Sequence, residues 1–171
     1  MTYGAYIESP IGVLQVRGSD KGVTHVTFVS ELGAEASFKK NTLIEMCVQQ
    51  LKEYFQGQRN AFDIPLDWRG TVFQQSIWQS LLDVPFGAVA SYSDIAIAVS
   101  NPKAVRAVGA ANGKNPIAII VPCHRIIGSN GSLTGYAGGV ERKAWLLNHE
   151  GVQLNLESSV GSSLICHAPS E

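Results

Sequence analysis

The chain has 171 residues, of which 45% are hydrophobic and 16% charged, so one or two globular domains with a buried core are expected and a disordered chain is excluded. Its formal net charge of −1, from 13 basic and 14 acidic side chains, argues by itself against a polyanionic partner. Apolar runs such as Ile117 to Val121 are too short to span a membrane, and no export signal opens the chain. Three scattered cysteines without a CxxC pair indicate neither a disulfide framework nor a sulfur-rich zinc site.

Residues 1–70 are predicted to form an α+β domain. The predicted elements are, in chain order, a hairpin within Tyr6–Val16 that turns at Ser9-Pro10 and Gly12, a strand over Val23–Val29, a helix over Leu43–Phe55 and a strand over Ala61–Leu66.

Residues 71–151 are predicted to form a second, mostly helical domain. Its predicted elements are a helix capped by Thr71, a short helix capped by Ser93, a helix from Ser100-Asn101-Pro102 to about Asn112, a buried strand over Ile117–Val121 and a helix over Glu141–His149 that stops at Gly151. The second and third helices are separated by a tight turn, which is typical of a helix-turn-helix. Residues 152–171 are polar and Ser-rich, which predicts a flexible tail.

The third of these helices combines one long cation with residues that have almost no side chain. Arg106, Gly109, Ala110 and Gly113 fall on one face, and Gly109 costs about 1 kcal/mol relative to alanine in a helix interior. Close helix packing and insertion into a narrow nucleic-acid groove both explain such a face. The helix lies in a stretch without acidic residues, Ile95 to Val140, that carries four basic residues. If this stretch binds a nucleic acid, few phosphate contacts are expected, and the affinity should therefore depend only weakly on salt concentration.

Cys123 follows the predicted strand Ile117–Val121 and is the candidate nucleophile. His124 can act as its base and Arg125 supplies a positive field, which together favour a thiolate. Cys47 fits a small buried hydrophobe, and Cys166 in the tail is expected to take no part in this chemistry. Glu150, in the last turn of a helix, either points into water or orients His124 as the acid of a Cys–His–acid relay.

These residues, with their spacing, resemble the O6-alkylguanine-DNA alkyltransferase family. The matching motifs are Ser91-Tyr92, Arg106-Ala107-Val108-Gly109, Asn115-Pro116, Pro122-Cys123-His124-Arg125, Gly135-Tyr136-Ala137-Gly138-Gly139, Lys143 and Glu150-Gly151. The strong match covers about residues 71–151, and residues 1–70 match only loosely. The implied fold is α+β, with an N-terminal ribonuclease-H-like α/β domain followed by a winged-helix-like, mostly helical domain that binds DNA and carries the catalytic site.

The resemblance implies direct reversal of alkylation damage, in which Cys123 takes the alkyl group from guanine O6 and keeps it. His124 would act through a water as the base for Cys123, and Glu150 would polarise His124. Asn115 would hold the turn between the recognition helix and the active-site segment. Lys143 would support the pocket. No cofactor is implied, and the protein reacts once.

The resemblance also implies how DNA is held. Tyr92 would rotate the nucleotide outward, and Arg106 would fill its place in the stack while Gly109 and Ala110 allow close approach to the minor groove. The remaining predicted base-binding or DNA-binding residues are Arg125, Ile126, Tyr136, Ala137 and Lys143, with the Cys123 and Ile126 carbonyls accepting from the guanine amine. The implied partner is double-stranded DNA with O6-alkylguanine, or O4-alkylthymine, bound by a monomer that can cluster along DNA, with no membrane contact. A cytoplasmic protein is expected, at the nucleoid in a bacterium or in the nucleus of a eukaryote.

Two departures from the family pattern qualify these implications. Residues 1–70 hold only Cys47 and His25, so the structural zinc of some members is not expected. Ala137 stands where some members have Ser, which bears on the acceptance of bulky adducts. Two other classes stay open on the residues alone: a helix-turn-helix regulator or lesion sensor with a structural Cys123, and a cysteine hydrolase using Cys123, His124 and Glu150.

Overall fold

The computed structural model describes residues 2–30, 38–133, 135–156 and 164–167, and for 154–156 and 164–167 only the backbone. The chain divides into two compact units, which are Met1–Arg69 with Pro116–Ile120, and Gly70–Asn115 with Val121–Glu171. The predicted domains differ from these units at 116–120, which belong to the first unit although they follow the third helix of the second. No helix within the described ranges is long and apolar enough to cross a membrane.

The first unit is built on a three-stranded antiparallel sheet in the order β1-β2-β3, formed by β1 (Tyr3–Ser9), β2 (Gly12–Gly18) and β3 (Val23–Val29). The hairpin turns where it was predicted, because Gly12 has a positive φ of 121° and Ser9 Oγ donates to the Gly12 carbonyl at 2.7 Å. Helix α1 (Thr42–Phe55) packs against this sheet and begins at Asn41, whose side chain accepts from Ile44 N–H. Their shared core includes Leu14, Val16, Val26, Ile44, Leu51 and Tyr54. The hairpin, β3 and α1 are confirmed.

Two predicted strands are wrong. In Ala61–Leu66, only Leu66 forms an isolated parallel bridge, to Val23, and Pro65 lacks the N–H that a regular ladder needs. In Ile117–Val121, only Ile117 bridges to β3, at Val26, and the chain then turns through Ile119 at a φ of 72°. Both segments therefore touch β3 at single positions rather than extend the sheet.

The second unit contains α2 (Val72–Leu81), α3 (Tyr92–Ala98), α4 (Val105–Gly113) and α5 (Val140–His149). Thr71 caps α2, as predicted, and forms a capping box with Gln74. Helix α3 is capped by Ser91 with Asp94, not by Ser93, because Ser91 keeps extended backbone angles and accepts from the Asp94 N–H. Helix α4 begins at Val105 rather than at Pro102, after a turn.

Helices α2, α3 and α4 pack on one another around buried apolar side chains, which are Ile77, Trp78, Leu81, Ile95, Ala96, Val108 and Ala111. Trp78 Nε1 donates to the Ala111 carbonyl at 2.9 Å, which ties α2 to α4 inside this core. A short parallel pair, β4 (Ala90–Ser91) with β5 (Ile126–Ile127), then brings the start of α3 beside the segment that follows Cys123. This pairing positions the site described below.

Helix α5 ends at His149 with Glu150 as its C-cap, and Gly151 follows at a φ of 88°, which confirms the predicted stop. Ile127, Leu133, Leu147 and Val152 form a second buried cluster under this end of the helix. Where the flexible tail was predicted, β6 (Gln153–Leu156) pairs antiparallel with β7 (Leu164–His167). The backbone ladder replaces the expected loose chain at these positions, and residues 157–163, 168–171 and the side chain of Cys166 lie outside the described part.

Candidate active site

Cys123 begins a 3-10 helix, Cys123–Arg125, rather than standing at the end of a strand. Pro122 precedes it, the Cys123 N–H donates to the Val121 carbonyl at 2.8 Å, and the Arg125 N–H donates to the Pro122 carbonyl at 3.0 Å. The tight turn leaves the Cys123 side chain 5% exposed. The nucleophile is therefore held by short-range backbone hydrogen bonds in a buried position.

His124 and Glu150 form the predicted pair. His124 Nε2 lies 2.7 Å from Glu150 Oε2, and both side chains are fully buried, which excludes the alternative that Glu150 points into water. An ionised carboxylate only accepts hydrogen bonds, so Nε2 carries the proton and the neutral ring presents Nδ1 as an acceptor. Within the described chain that Nδ1 has no hydrogen-bond partner. His124 is therefore oriented as a base whose accepting nitrogen is not used by any residue that the structure describes.

The ionisation states follow from burial and pairing. Burial lowers the pKa of His124, and the Glu150 hydrogen bond opposes this only in part, so the ring is neutral near pH 7. Burial also opposes ionisation of Glu150, but the hydrogen bonds from His124 and Arg125 and the charge of Arg125 outweigh it and hold the pKa of Glu150 at about 2. A carboxylate beside a neutral imidazole results.

Arg125 corrects a prediction. Its Nε and Nη2 donate to Glu150 Oε1 and Oε2 at 2.7 and 3.1 Å, and its Nη1 donates to the Val84 carbonyl at 2.7 Å. The side chain is 6% exposed, so its guanidinium is committed to a buried ion pair and not presented to DNA. Arg125 holds the carboxylate that orients His124.

The thiol of Cys123 also differs from the expectation of a stabilised thiolate. Burial raises its pKa, and the Asn115 side chain and the Lys143 charge lower it without offsetting burial. Asn115 also donates to the Val121 carbonyl at 2.8 Å, so it braces the turn that leads to Cys123. Cys123 rests as a thiol and must lose its proton during the reaction.

Tyr92, Lys143 and Gly135 lie close to one another, and the charge of Lys143 acts on the Cys123 thiol. Tyr92 is the first residue of α3, Lys143 Nζ lies 6.0 Å from its ring centroid, and a Cβ on Gly135 would lie 3.5 Å from its hydroxyl. Lys143 is fully buried on α5. Tyr136 is 8% exposed, and its buried hydroxyl has no hydrogen-bond partner among the described residues.

The loop that follows Tyr136 turns at glycine. Gly139 has a φ of 94°, and its N–H donates to the Tyr136 carbonyl at 2.9 Å. Ala137 is exposed in this turn. The loop thus carries the exposed Ala137 directly after Tyr136, whose hydroxyl is buried.

Helix α4 exposes its small-residue face. Arg106, Ala110 and Gly113 are exposed, whereas Val108 and Ala111 are buried. A Cβ on Gly109 would meet only the Tyr92 ring at 3.9 Å, and one on Gly113 would meet nothing within 4 Å. Packing within the described chain therefore does not require these glycines, which favours close approach to an external groove over helix packing. With Arg125 buried, Lys103, Arg106 and Lys114 remain as the exposed cations of the acid-free stretch.

Sequence reasoning missed Asn112. It lies on the buried face of α4 at 2% exposure, its Nδ2 is 3.4 Å from the Cys123 carbonyl, and its Oδ1 has no partner in the described chain. The signal was available, because Asn112 lies four residues after Val108 on the apolar stripe, where a polar side chain needs a partner. The Cys123 carbonyl, predicted to accept from guanine, also accepts from the N–H of buried Ile126.

Two family models match the chain. The 6-O-methylguanine DNA methyltransferase ribonuclease-like domain matches residues 1–68, and the DNA binding domain of the same name matches residues 72–152.

Curated relatives and solved structures agree with these matches. A methylated-DNA–protein-cysteine methyltransferase of Methanosarcina barkeri is 44% identical over 153 residues, which cover 86% of this chain and 96% of the relative. The constitutive methyltransferase of that name from Bacillus subtilis is 45% identical over 159 residues, covering 88% and 96%. The crystal structure of Mycobacterium tuberculosis OGT in complex with DNA superposes with a TM-score of 0.78 at 46% identity, covering 86% of this chain and 92% of that one.

Proposed function

The chain belongs to the 6-O-methylguanine DNA methyltransferase family, and from that premise we propose that it repairs DNA by moving the O6-alkyl group of guanine onto Cys123. Its fold is the predicted one, a ribonuclease-like α+β domain followed by a helical DNA-binding domain. Its partner is DNA, and it acts at the nucleoid of a bacterium or in the nucleus of a eukaryote.

The observation that carries the proposal is a buried thiol in the residue directly before a neutral, oriented imidazole. Glu150 holds His124 at 2.7 Å, His124 Nδ1 has no hydrogen-bond partner among the described residues, and Cys123 is the preceding residue. In the reaction the Cys123 proton passes to His124, through a water, as the sulfur attacks the alkyl carbon. The S–C bond forms, the C–O6 bond breaks with its electron pair left on guanine, and the proton that His124 took passes to guanine, which leaves guanine and the His124 ring neutral.

The resting thiol suits a reagent that is used once. Because burial raises the pKa of Cys123, the sulfur stays protonated until proton transfer to His124 accompanies attack, which protects it from adventitious alkylation and oxidation. The product is a thioether, which has no ready path back to the thiol. One alkyl group is therefore transferred per chain.

Access to O6 requires the base to leave the stack, and the second unit presents the groups for this step. Arg106 stands exposed on the small-residue face of α4 and would occupy the vacated place. Tyr92, at the start of α3, and Tyr136 would enclose the extruded base, with Lys143 beneath Tyr92. The Tyr136 hydroxyl would gain from the base the partner it lacks within the described protein.

The test is the mass of the protein after reaction with a duplex that contains one O6-methylguanine. The intact protein should gain one methyl group and no more, and fragmentation should place it on the Cys123 peptide. Cys47, which is fully buried and has a pKa raised by burial to about 12, is the internal control and should stay unmodified. An unmodified Cys123 after incubation of folded protein with intact duplex would refute the proposal, and repeated turnover on esters would favour a hydrolase.

A further inference from the structure

The first unit contains a cavity of about 290 Å³ that the proposed reaction does not use. Its lining includes Arg17, Ser19, His25, Asp67 and Arg69. All five belong to the first unit, and the methyl transfer described above assigns none of them a role. The chemistry of these side chains indicates what the cavity binds.

Arg17 is the central feature of the cavity. It lies on β2 directly opposite His25 on β3, next to an irregularity in the register between Arg17 and Gly18. Its Nε is buried and has no hydrogen-bond partner among the described residues. No carboxylate of the described residues forms a salt bridge with Arg17. A buried guanidinium N–H without an acceptor is costly, and no carboxylate of the described residues neutralises the charge that Arg17 brings to the cavity lining.

The one carboxylate in the lining has other partners. Asp67 Oδ2 accepts from Ser19 Oγ at 2.6 Å and lies 3.8 Å from Arg69 Nη2. Two guanidinium groups against one carboxylate leave the cavity with a net positive charge. His25 also lines the cavity, and its Nδ1 lies 2.9 Å from Thr24 Oγ1. In the tautomer in which the Thr24 hydroxyl donates to Nδ1, the neutral ring carries its proton on Nε2, and this N–H is a further donor.

We propose that this cavity is an oxyanion site that takes a phosphate group, with Arg17 as its main ligand. A guanidinium presents its donors in a planar fork that matches two phosphate oxygens, and charge-assisted hydrogen bonds of this kind are the strong ones. The volume exceeds that of a phosphate ion, so part of the molecule that carries the phosphate also fits. Inorganic phosphate and the backbone phosphate of DNA share this chemistry and are the two sources to distinguish.

The first experiment titrates the full chain with inorganic phosphate at constant ionic strength, with chloride as the balancing anion. Calorimetry and the NMR resonances of the His25 ring report binding. Arg17→Gln should weaken phosphate binding by at least about tenfold, which is ~1.4 kcal/mol. Arg59→Gln is the matched control, because Arg59 is bound to Glu53 outside the cavity, and it should bind phosphate like the wild type.

Arg17→Lys covers the case in which Arg17→Gln does not fold, since it keeps the charge and removes the Nε–H. It should also weaken phosphate binding, and circular dichroism verifies the fold of each variant. No saturable shift at His25, or equal affinity in the wild type and both Arg17 variants, overturns the proposal.

The second experiment replaces phosphate by an undamaged duplex. Shifts at His25 that inorganic phosphate competes away would assign the site to the DNA backbone, whereas shifts from phosphate alone would assign it to a free oxyanion. Duplex shifts that phosphate does not compete for would overturn the assignment. Methyl transfer to Cys123 is measured on the same samples, so a failed oxyanion site is distinguished from a failed repair reaction.

Discussion

Replacing Glu150 by Gln removes one charge from the buried group of Glu150, His124 and Arg125 while keeping the shape of the side chain. The pKa of Glu150 is about 2 against an ordinary 4.5. At ~1.36 kcal/mol per unit of pKa, this difference corresponds to about 3 kcal/mol of stabilisation in the ionised form. Loss of one partner from a buried ion pair costs about 3–5 kcal/mol, which agrees. We therefore expect Glu150→Gln to lose about 3 kcal/mol of unfolding free energy.

The dependence on pH gives a second signature of the same pair. Because the pKa of Glu150 is lower in the folded state, its contribution is complete above pH 4.5 and is lost as pH falls through the folded pKa of about 2. Burial also lowers the pKa of His124 in the folded state below its ordinary value of 6.5. As the pH falls below 6.5, His124 is therefore protonated in the unfolded chain before it is protonated in the folded protein, and the folded state loses stability. In Glu150→Gln the decline between pH 4.5 and 2 should be smaller than in the wild type.

Urea unfolding followed by tryptophan fluorescence measures the stability, and the rate of methyl transfer at saturating duplex measures the chemistry. Without the carboxylate His124 is a weaker and less well oriented base, so the rate should fall by about a hundredfold. Glu141→Gln is the matched control, because Glu141 is exposed on the same helix. If the free energy of unfolding of Glu150→Gln lies within about 0.5 kcal/mol of that of the control, the buried ion pair does not contribute the stability inferred from the pKa of Glu150. An unchanged rate in folded Glu150→Gln would refute the role of the carboxylate in orienting His124.

Four further substitutions, one of them a control outside the site, give three more predictions. Arg106→Ala should slow transfer from duplex by at least about tenfold and leave reaction with the free base unchanged, because it acts on base extrusion, so equal losses on both substrates would refute that role. Ser91→Ala and Thr71→Ala should each lower the free energy of unfolding in urea by about 1 kcal/mol, because each removes the N-cap of a capping box. Only Ser91→Ala should also slow methyl transfer. An equal slowing in Thr71→Ala would contradict this. Asn112→Leu should slow transfer at saturating duplex without weakening DNA binding, because its amide meets the Cys123 carbonyl, and the opposite pattern would show a role in DNA contact.

The burial of Arg125 changes how the DNA-binding surface is understood. The acid-free stretch carries four basic residues, but one of them neutralises Glu150 inside the protein. Each cation that neutralises a DNA phosphate contributes about one unit to the slope of log affinity against log salt concentration. Three exposed cations therefore predict a weaker salt dependence of DNA binding than the four basic residues counted in the sequence. The number of basic residues in a sequence segment gives the charge presented to DNA only where their side chains are exposed.

The sequence by itself determined the features that depend on a few neighbouring residues. The cap at Thr71 and the stop at Gly151 were read correctly, because a cap bonds within three residues and a positive φ is a property of one residue. The motif around Cys123 likewise identified the family, because residue order alone carries it.

Only the tertiary structure decided the ionisation and availability of these groups. Cys123 is a thiol because the surrounding protein removes water from it, and Arg125 faces inward because Glu150, 25 residues away along the chain, comes within 2.7 Å. Residues 116–120 fail to form a strand although they are apolar, since they meet β3 at one position only. Desolvation and pairing depend on distances between segments remote in sequence, and no local pattern encodes those distances.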